Sequence, residues 1–396
     1  MRNYLEQIEI IKKLLLCLTF IVSYQLMGQI VSPFNIRYQT YQKGGIALLS
    51  NLAISCNSSN GNCGVYQNQI PPNGNHNQDG GVIAAYVDID NSANTWMSSS
   101  DSIDLSACTE VLWAGLYWSA RVNASTANYS SRNQVNLKVN NGQYINLTAD
   151  ELLDVSTVPG NSGFSMPGYY CFKDITSVVQ PTNGSARFTV ANVVSQTGSN
   201  NLFGAWSIVI VYKNPLQSMR NLTVFDGMAY VSSSNNLDIP ISGFTTPSIG
   251  PVSFELGVVA YEGDRSIQGD RLQFNGNGTF LDVPDPLRNP NDFFNSSFTL
   301  NGALTPYRNP SYNNNLGCDA GIFIPDNSTQ TYLPNSATFA TVRVATSQDA
   351  ILPRIITSAI DIYEPDLRAS VSYNDINGGT VLPGDILEYT IVSKNI

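Results

Sequence analysis

The chain has 396 residues, of which 42% are hydrophobic, and this length allows two or three folded domains. Only 13% of the residues are charged, about half the usual share, and Asn, Ser, Thr, Gly and Tyr take their place. With a net charge of −10, the chain lacks the electrostatic footprint expected of a nucleic-acid binder, and binding to an anionic membrane is disfavoured as well.

The N-terminus has the features of a secretory signal peptide over residues 1–28. Lys12 and Lys13 precede the apolar run LLLCLTFIVSY, and Gly28 supplies a small residue before a cleavage point. The run is too short to span a bilayer and no second long apolar segment follows it, so we predict no transmembrane segment. We expect the mature chain to begin near Gln29 and to be extracellular or on the outer cell surface.

Export would allow disulfide bonds among the remaining cysteines. Cys56 and Cys63 bracket the turn-rich loop CNSSNGNC, so we predict a bond between them. Cys108 and Cys171 are a second candidate pair, although pairing cannot be derived from sequence alone. The chain has no CxxC motif and a single histidine, His76, and these features favour structural bridging over a metal site.

From residue 29 to residue 364 the pattern is one short strand after another. EVLWAGLYWSA and WSIVIVY have apolar residues on both faces, which is typical of central strands in a two-layer β structure. SFELGVVAYEGD, TFATVRVAT and RIITSAIDIY predict further strands, and loops rich in turn-forming residues separate them. Only ADELLDV has a helical pattern. The predicted fold class is therefore all-β, an antiparallel β-sandwich or jelly roll.

The length of this region favours two β-sandwich regions, 29–215 and 216–364, with a boundary in YKNPLQSMRN. One large jelly roll over 29–364 is the alternative. A third region, 365–396, contains two alternating strands, LRASVSY and DILEYTI, on either side of the turn NDINGG. Two strands with one apolar face do not form a stable domain in water, so we expect the rest of this domain to follow Ile396.

The C-terminal segment EPDLRASVSYNDINGGTVLPGDILEYTIVSKN resembles the opening of an Ig-like repeat known as domain of unknown function eleven. Upstream, FNIRYQTYQKGGIALLSN, AGLYWSA, NLTVFDG and VVAYEGDRSIQGDRLQFNG look like the N-terminal β-region that precedes such repeats in secreted Bacteroidetes proteins. The resemblance implies further repeats downstream and a role at the cell envelope in adhesion or gliding. It implies no catalytic residues. The repeat positions that match are Asp366, Leu367, Gly378, Gly379, Pro383, Gly384, Asp385, Tyr389 and Asn395.

The sequence lacks the residues that most catalytic systems require. The only histidine, His76, lies in the loop NGNHNQDGG, which is a poor position for the base of a Ser/His/Asp or Cys/His system. No GxxxxGK[ST] or GxGxxG motif is present for nucleotide binding. The sequence leaves glycoside hydrolysis by a pair of carboxylates as an alternative, because it does not reveal the distance between two acidic side chains. We therefore expect a non-catalytic adhesion or display module, with a carbohydrate-binding module or a glycoside hydrolase on a jelly roll as the alternative.

Surface glycans or proteins are the expected partners, because aromatic rings stack on sugars and anchor protein partners. Trp113, Trp118 and Trp206 lie in apolar runs and are predicted to belong to the core. The aromatic residues that lie in polar loops, and are therefore candidates for binding, are Trp96, Tyr129 and Tyr312.

Calcium is the one cofactor that the sequence suggests. In GDRSIQGDR, Asp264 and Asp270 fall on one face if the segment is extended, and in VDIDNS, Asp88 and Asp90 are two residues apart. Calcium takes several oxygen ligands from loops of this kind. The alternative is that the neighbouring arginines neutralise these acids in surface ion pairs.

Overall fold

The structure is a computed structural model that describes residues 30–59, 62–74, 81–105, 107–155, 168–233, 235–363 and 367–395. The predicted signal peptide and His76 lie outside these residues. Within them the chain is nearly all β, which confirms the predicted fold class. No helix in this part of the chain is both long and apolar enough to cross a membrane.

The described residues contain many strands and a few short helices. The helices are α1 (Cys63–Gln67) and α2 (Thr176–Val179), with 3-10 turns at Tyr129–Ser131 and Gln180–Thr182. The strands, in chain order, are β1 (Ile30–Leu52), β2 (Ile54–Cys56), β3 (Ala84–Tyr86), β4 (Ser98–Asp104), β5 (Glu110–Arg121), β6 (Gln134–Val139), β7 (Ile145–Thr148), β8 (Glu151–Val155), β9 (Gly168–Asp174), β10 (Ser185–Ala191), β11 (Gly204–Lys213), β12 (Met219–Ala229), β13 (Leu237–Ser242), β14 (Phe254–Tyr261), β15 (Arg271–Asn275), β16 (Leu281–Asp282), β17 (Phe298–Leu300), β18 (Ala303–Leu304), β19 (Cys318–Phe323), β20 (Phe339–Ala345), β21 (Leu352–Asp361), β22 (Leu367–Asp375) and β23 (Leu387–Asn395).

One large sheet runs through both halves of the chain, in the order β18-β17-β19-β14-β21-β12-β1-β11-β5-β9-β8. Its strands are antiparallel except at the contact between β17 and β19. Two four-stranded sheets, β4-β10-β6-β7 and β13-β20-β15-β16, accompany it. The two sequences predicted to be central strands are β5 and β11, and both lie inside the large sheet, which confirms that prediction.

The long strand β1 connects the two halves of the large sheet. Residues 30–43 pair with β12, and residues 44–52 pair with β11. Backbone hydrogen bonding therefore continues across the boundary predicted near residue 215. The division into regions 29–215 and 216–364 stays a prediction about folding units.

Arg37 reinforces this junction from the middle of β1. Its guanidinium lies 2.8 Å from the carboxylate of Asp226 in β12 and 2.7 Å from that of Glu151 in β8. The same group lies 4.3 Å from the centre of the Phe172 ring in β9. One side chain thus links strands from both halves of the sheet.

The core consists of three main clusters between layers of sheet. Trp118 and Trp206 belong to the cluster between the half of the large sheet that contains β11 and the sheet β4-β10-β6-β7. Phe254 and Phe274 stack at 4.5 Å between the other half and the sheet β13-β20-β15-β16. The third cluster, which contains Trp113, joins the remaining faces of the two halves. The sheets therefore form four layers, and the three tryptophans predicted to be core are 0–6% exposed.

The segment ADELLDV forms a strand, so the predicted helix is wrong. Residues 151–155 are β8 and pair with residues 168–172 of β9 at the edge of the large sheet. A helix of barely two turns is unstable in water without tertiary contacts. Pairing with β9 satisfies the backbone of this segment instead.

The C-terminal hairpin is confirmed. β22 pairs with β23 from Leu367 and Asn395 to Asp375 and Leu387. Tyr373 and Tyr389 lie opposite each other, and each is 62% exposed. The further strands that would cover this face, and the relationship to the Ig-like repeat, stay predictions.

Among the described cysteines, Cys56 and Cys63 form the predicted disulfide bond, which closes the connection between β2 and α1. The predicted bond between Cys108 and Cys171 is wrong, because both residues are free thiols. Cys108 is exposed, whereas Cys171 is fully buried in the cluster that contains Trp118. Burial raises the pKa of the Cys171 thiol, which favours its neutral form.

Replacing both Cys56 and Cys63 by serine should lower the free energy of unfolding by about 2 kcal/mol, because the bond restricts the unfolded chain. Urea denaturation of the oxidised protein measures this difference. Cys108→Ser, which removes an exposed free thiol, is the control and should leave the midpoint unchanged. Equal midpoints for the double variant and the parent would contradict the expectation.

Gly44→Ala should destabilise the protein at the point where β1 leaves β12 and begins to pair with β11. A Cβ at this position would lie 2.0 Å from the backbone oxygen of Tyr212 and 2.8 Å from Cα of Lys213. Because backbone atoms cannot move aside cheaply, we expect a loss of about 1–3 kcal/mol in urea denaturation. The control is Gly64→Ala in α1, where a Cβ meets no atom of the described residues within 4 Å. Equal losses in the two variants would refute this steric argument.

Candidate functional site

A mostly apolar groove of about 340 Å³ lies over the middle of β1. Residues 46–49 form its floor, and residues 101–105, in and just after β4, form one wall. The opposite wall includes Leu300 at the end of β17 and Tyr307 in the loop after β18. The groove thus lies between an edge strand of a four-stranded sheet and the edge hairpin of the large sheet.

Three large side chains in this groove remain exposed to solvent. Leu300 is 47% exposed, Tyr307 is 66% exposed and Ile324 is 41% exposed. Exposed apolar groups on one concave surface are typical of a binding site. The sequence analysis missed Tyr307. Its loop, ALTPYRNP, has no feature that distinguishes it from the loops around other tyrosines.

Two carboxylates in the groove already have structural partners. Asp101 is buried, and its carboxylate accepts hydrogen bonds from the backbone N–H groups of Ser50 at 3.1 Å and Ser102 at 2.8 Å. Burial raises the pKa of Asp101 to about 6, and these hydrogen bonds offset only part of that effect. Glu255 forms an ion pair with Arg220 at 2.8 Å.

The three aromatic residues predicted for binding are all half-buried. Trp96 and Tyr129 pack on the cluster that contains Trp118, and Tyr312 packs on the cluster between the two halves of the large sheet. Tyr129 also lies 4.1 Å from the guanidinium carbon of Arg132. Binding by these rings stays a prediction, and the exposed Tyr307 is better placed for it.

The predicted calcium residues Asp88 and Asp90 stabilise their own loop. Asp88 accepts a hydrogen bond from the Ser98 hydroxyl at 2.8 Å. Asp90 accepts hydrogen bonds from the hydroxyls of Thr95 at 2.9 Å and Tyr144 at 2.6 Å. Although burial opposes the effect, these hydrogen bonds lower the pKa of Asp90 to about 2. Calcium binding here stays a prediction.

The other predicted calcium residues, Asp264 and Asp270, are buried rather than engaged in surface ion pairs. Arg265 is buried with them, and Arg271 pairs instead with Asp282 at 2.9 Å. The segment between the two aspartates consists of turns, so it is not the extended strand that the sequence argument assumed. Folding adds acids from distant segments, and we define the acidic cluster as Asp264, Asp270, Asp292, Asp319 and Asp349, which are 0–7% exposed.

Burial and mutual repulsion disfavour ionisation in the acidic cluster. Burial raises the pKa of Asp292 to about 6 and that of Asp349 to about 7, and the pKa of Asp270 lies well above its usual range. Nearby carboxylates raise all three further. Asp319 forms a close ion pair with the buried Arg288 at 2.7 Å. In the described part of the chain, no three His, Cys, Asp or Glu side chains are already grouped to hold a metal ion.

The described residues define an all-β protein of packed antiparallel sheets. No protein-family model matches its sequence, and no curated protein matches it. The chain is similar to a solved structure titled "Recombinant peptide: N-glycanase F (PNGase F)", at 11% identity and a TM-score of 0.20, over 74% of this chain and 94% of that chain. It is also similar to PNGase F, a glycosylasparaginase from Flavobacterium meningosepticum, at 11% identity and a TM-score of 0.18, over 66% and 89%. TM-scores at this level support no conclusion about the fold or the activity of this chain.

Stability should fall as the pH rises from about 4 to about 6, in part because of Asp101. In that range Asp101 keeps a proton in the native state that it has lost in the unfolded state. Through this group, each pH unit therefore lowers the free energy of unfolding by up to about 1.4 kcal/mol. Above pH 6 the contribution of Asp101 becomes constant.

Urea denaturation across this pH range should show a shallower dependence for Asp101→Asn than for the parent, whatever the absolute stability of the variant. The control is Asp326→Asn, which removes an exposed carboxylate whose pKa the hydrogen bond from Ser328 lowers. A parent and an Asp101→Asn variant with parallel pH profiles would disprove the assignment.

Proposed function

We propose that this chain is an exported, cell-surface-associated, non-catalytic β module that binds a carbohydrate in its groove during adhesion or display. The observation that carries the proposal is the exposed ring of Tyr307 beside Leu300 and Ile324 on a concave, mostly apolar surface. An aromatic ring in such a surface can stack on the apolar face of a sugar. The export part of the proposal rests on the signal-peptide pattern in residues 1–28.

The partners of two of the three groove carboxylates, Asp101 and Glu255, support binding without turnover. Glycoside hydrolysis needs one carboxyl group as the acid and a second as the base or nucleophile. Glu255 is held by Arg220, and both oxygens of Asp101 accept backbone hydrogen bonds. Both groups therefore have structural roles in the walls and floor of the groove.

One observation favours a carbohydrate-active enzyme as the second candidate. The pKa of Asp101 is raised to about 6 by burial, and a carboxyl group with such a pKa is suited to general-acid catalysis near neutral pH. A binding test must therefore be accompanied by a test for turnover.

The charge around the groove favours neutral sugars as ligands. Asp104 lies exposed on one wall, and the whole chain carries a net charge of −10. Acidic polysaccharides would be repelled by this charge. We therefore expect neutral glycans to bind more tightly than acidic glycans of similar length.

The proposal is tested by measuring the binding of the purified chain to a panel of immobilised neutral and acidic glycans. Tyr307→Ala should weaken binding to the preferred neutral glycan about tenfold, because loss of a stacked ring costs about 1 kcal/mol or more. Tyr389→Ala is the matched control, since that ring is exposed to a similar extent (62% against 66%) but lies in the C-terminal hairpin.

Each result on the panel has a defined meaning. Binding that is lost in Tyr307→Ala and kept in Tyr389→Ala supports the groove as the site. Failure of the parent to bind any glycan, or equal binding by all three proteins, contradicts it. Cleavage of a glycan that Asp101→Asn abolishes would favour the enzyme.

A further inference from the structure

Among the described residues, Asp270 has a buried carboxylate oxygen with no hydrogen-bond partner. Its Oδ1 atom accepts hydrogen bonds from the backbone N–H groups of Phe293 and Phe294, the latter at 2.9 Å. Its Oδ2 atom has no hydrogen-bond partner, although the residue is 0% exposed. Such a group is costly to bury unless something compensates it, so Oδ2 points to a missing partner.

Asp292 repeats this arrangement on the adjacent backbone. The two residues are joined by a parallel β-bridge, and Oδ2 of Asp292 accepts a hydrogen bond from the backbone N–H of Ser266 at 2.9 Å. The Oδ1 atom of Asp292 is buried and has no hydrogen-bond partner in the described part of the chain. In each carboxylate, therefore, one oxygen accepts backbone hydrogen bonds from a neighbouring loop, and the other oxygen accepts none.

The charges around these two residues do not balance. Besides Asp270 and Asp292, the acidic cluster includes the buried Asp319 and Asp349, whereas the described residues place two arginines, Arg265 and Arg288, among these four carboxylates. Arg288 pairs with Asp319, whereas Arg265 donates hydrogen bonds to the carbonyl oxygens of Asn295 and Gln69 and to the Ser297 hydroxyl. Negative charge that is buried in this way requires either protons or a bound cation.

We propose that Asp270 and Asp292 are the anionic ligands of a divalent-cation site that takes Ca²⁺. Oδ1 of Asn295 is a neutral oxygen in the same segment, and it is likewise buried with no hydrogen-bond partner that the structure describes. Ca²⁺ accepts six to eight oxygens in irregular geometry, including amide and backbone carbonyl oxygens, whereas Mg²⁺ demands a near-ideal octahedron. A site with two carboxylates is compatible with the absence of a three-acid group among the described residues.

Asp349 positions this site without serving as one of its anionic ligands. Its two oxygens accept hydrogen bonds from the backbone N–H groups of Asp264 at 2.9 Å and Ala350 at 2.7 Å. The bound ion would thus connect the loops at residues 262–270 and 285–297, and Asp349 holds the first of these to the loop at residues 346–351. The proposal does not depend on what the groove over β1 binds.

The test is calorimetric titration of the chelator-treated full chain with CaCl₂ at pH 7.5, together with thermal unfolding at each concentration. The parent should bind Ca²⁺, and its midpoint temperature should rise with CaCl₂ and less with MgCl₂. Asp270→Asn and Asp292→Asn each keep one oxygen for the existing backbone hydrogen bonds, and each should bind Ca²⁺ about tenfold more weakly or worse. Asp88→Asn, which alters the other predicted pair, should bind like the parent.

Hydrogen exchange of the parent with and without CaCl₂ locates the site even if a variant does not fold. Ca²⁺ should slow exchange in residues 262–270 and 285–297 and leave the loop around Asp88 unchanged. No heat and no thermal shift in the parent would overturn the proposal. Calcium affinity that survives in Asp270→Asn and Asp292→Asn, or protection confined to other segments, would overturn it equally.

Discussion

The shared backbone pairing of β1 is the constraint on which the rest of the structure depends. Because residues 30–43 pair with β12 and residues 44–52 pair with β11, one strand belongs to both halves of the large sheet. The halves can then pack face to face, and their outer faces take one four-stranded sheet each. The switch between partners occurs at Gly44, where the neighbouring backbone leaves no room for a side chain.

The groove and the acidic cluster are both consequences of this layered arrangement. The groove forms because the edge hairpin of the large sheet ends opposite β4, over the middle of β1. The acidic cluster forms because three loops meet behind β19, where Arg288 and Asp319 make a fully buried ion pair. Each site draws its residues from segments that are far apart in the chain, and neither is a local motif.

The sequence predictions succeeded where one local pattern decided the outcome. The apolar runs around Trp118 and Trp206 are typical of central strands, and the glycines of NDINGG suited a hairpin turn. Cys56 and Cys63 are close enough in sequence that a short loop brings them together. The predictions failed at residues 151–155 and at Cys171, where a strand partner and the direction of a side chain decided the outcome.

By itself, the sequence determined the all-β class, most of the strands, the hairpin and the disulfide bond, because alternation and turn chemistry act over a few residues. It also singled out Asp264 and Asp270. Only the tertiary structure decided that these acids are buried, that Asp292 lies beside them, and that Tyr307 is exposed in a groove. Burial, charge balance and the shape of the surface depend on which distant strands pack together. No pattern within a single segment predicts that packing.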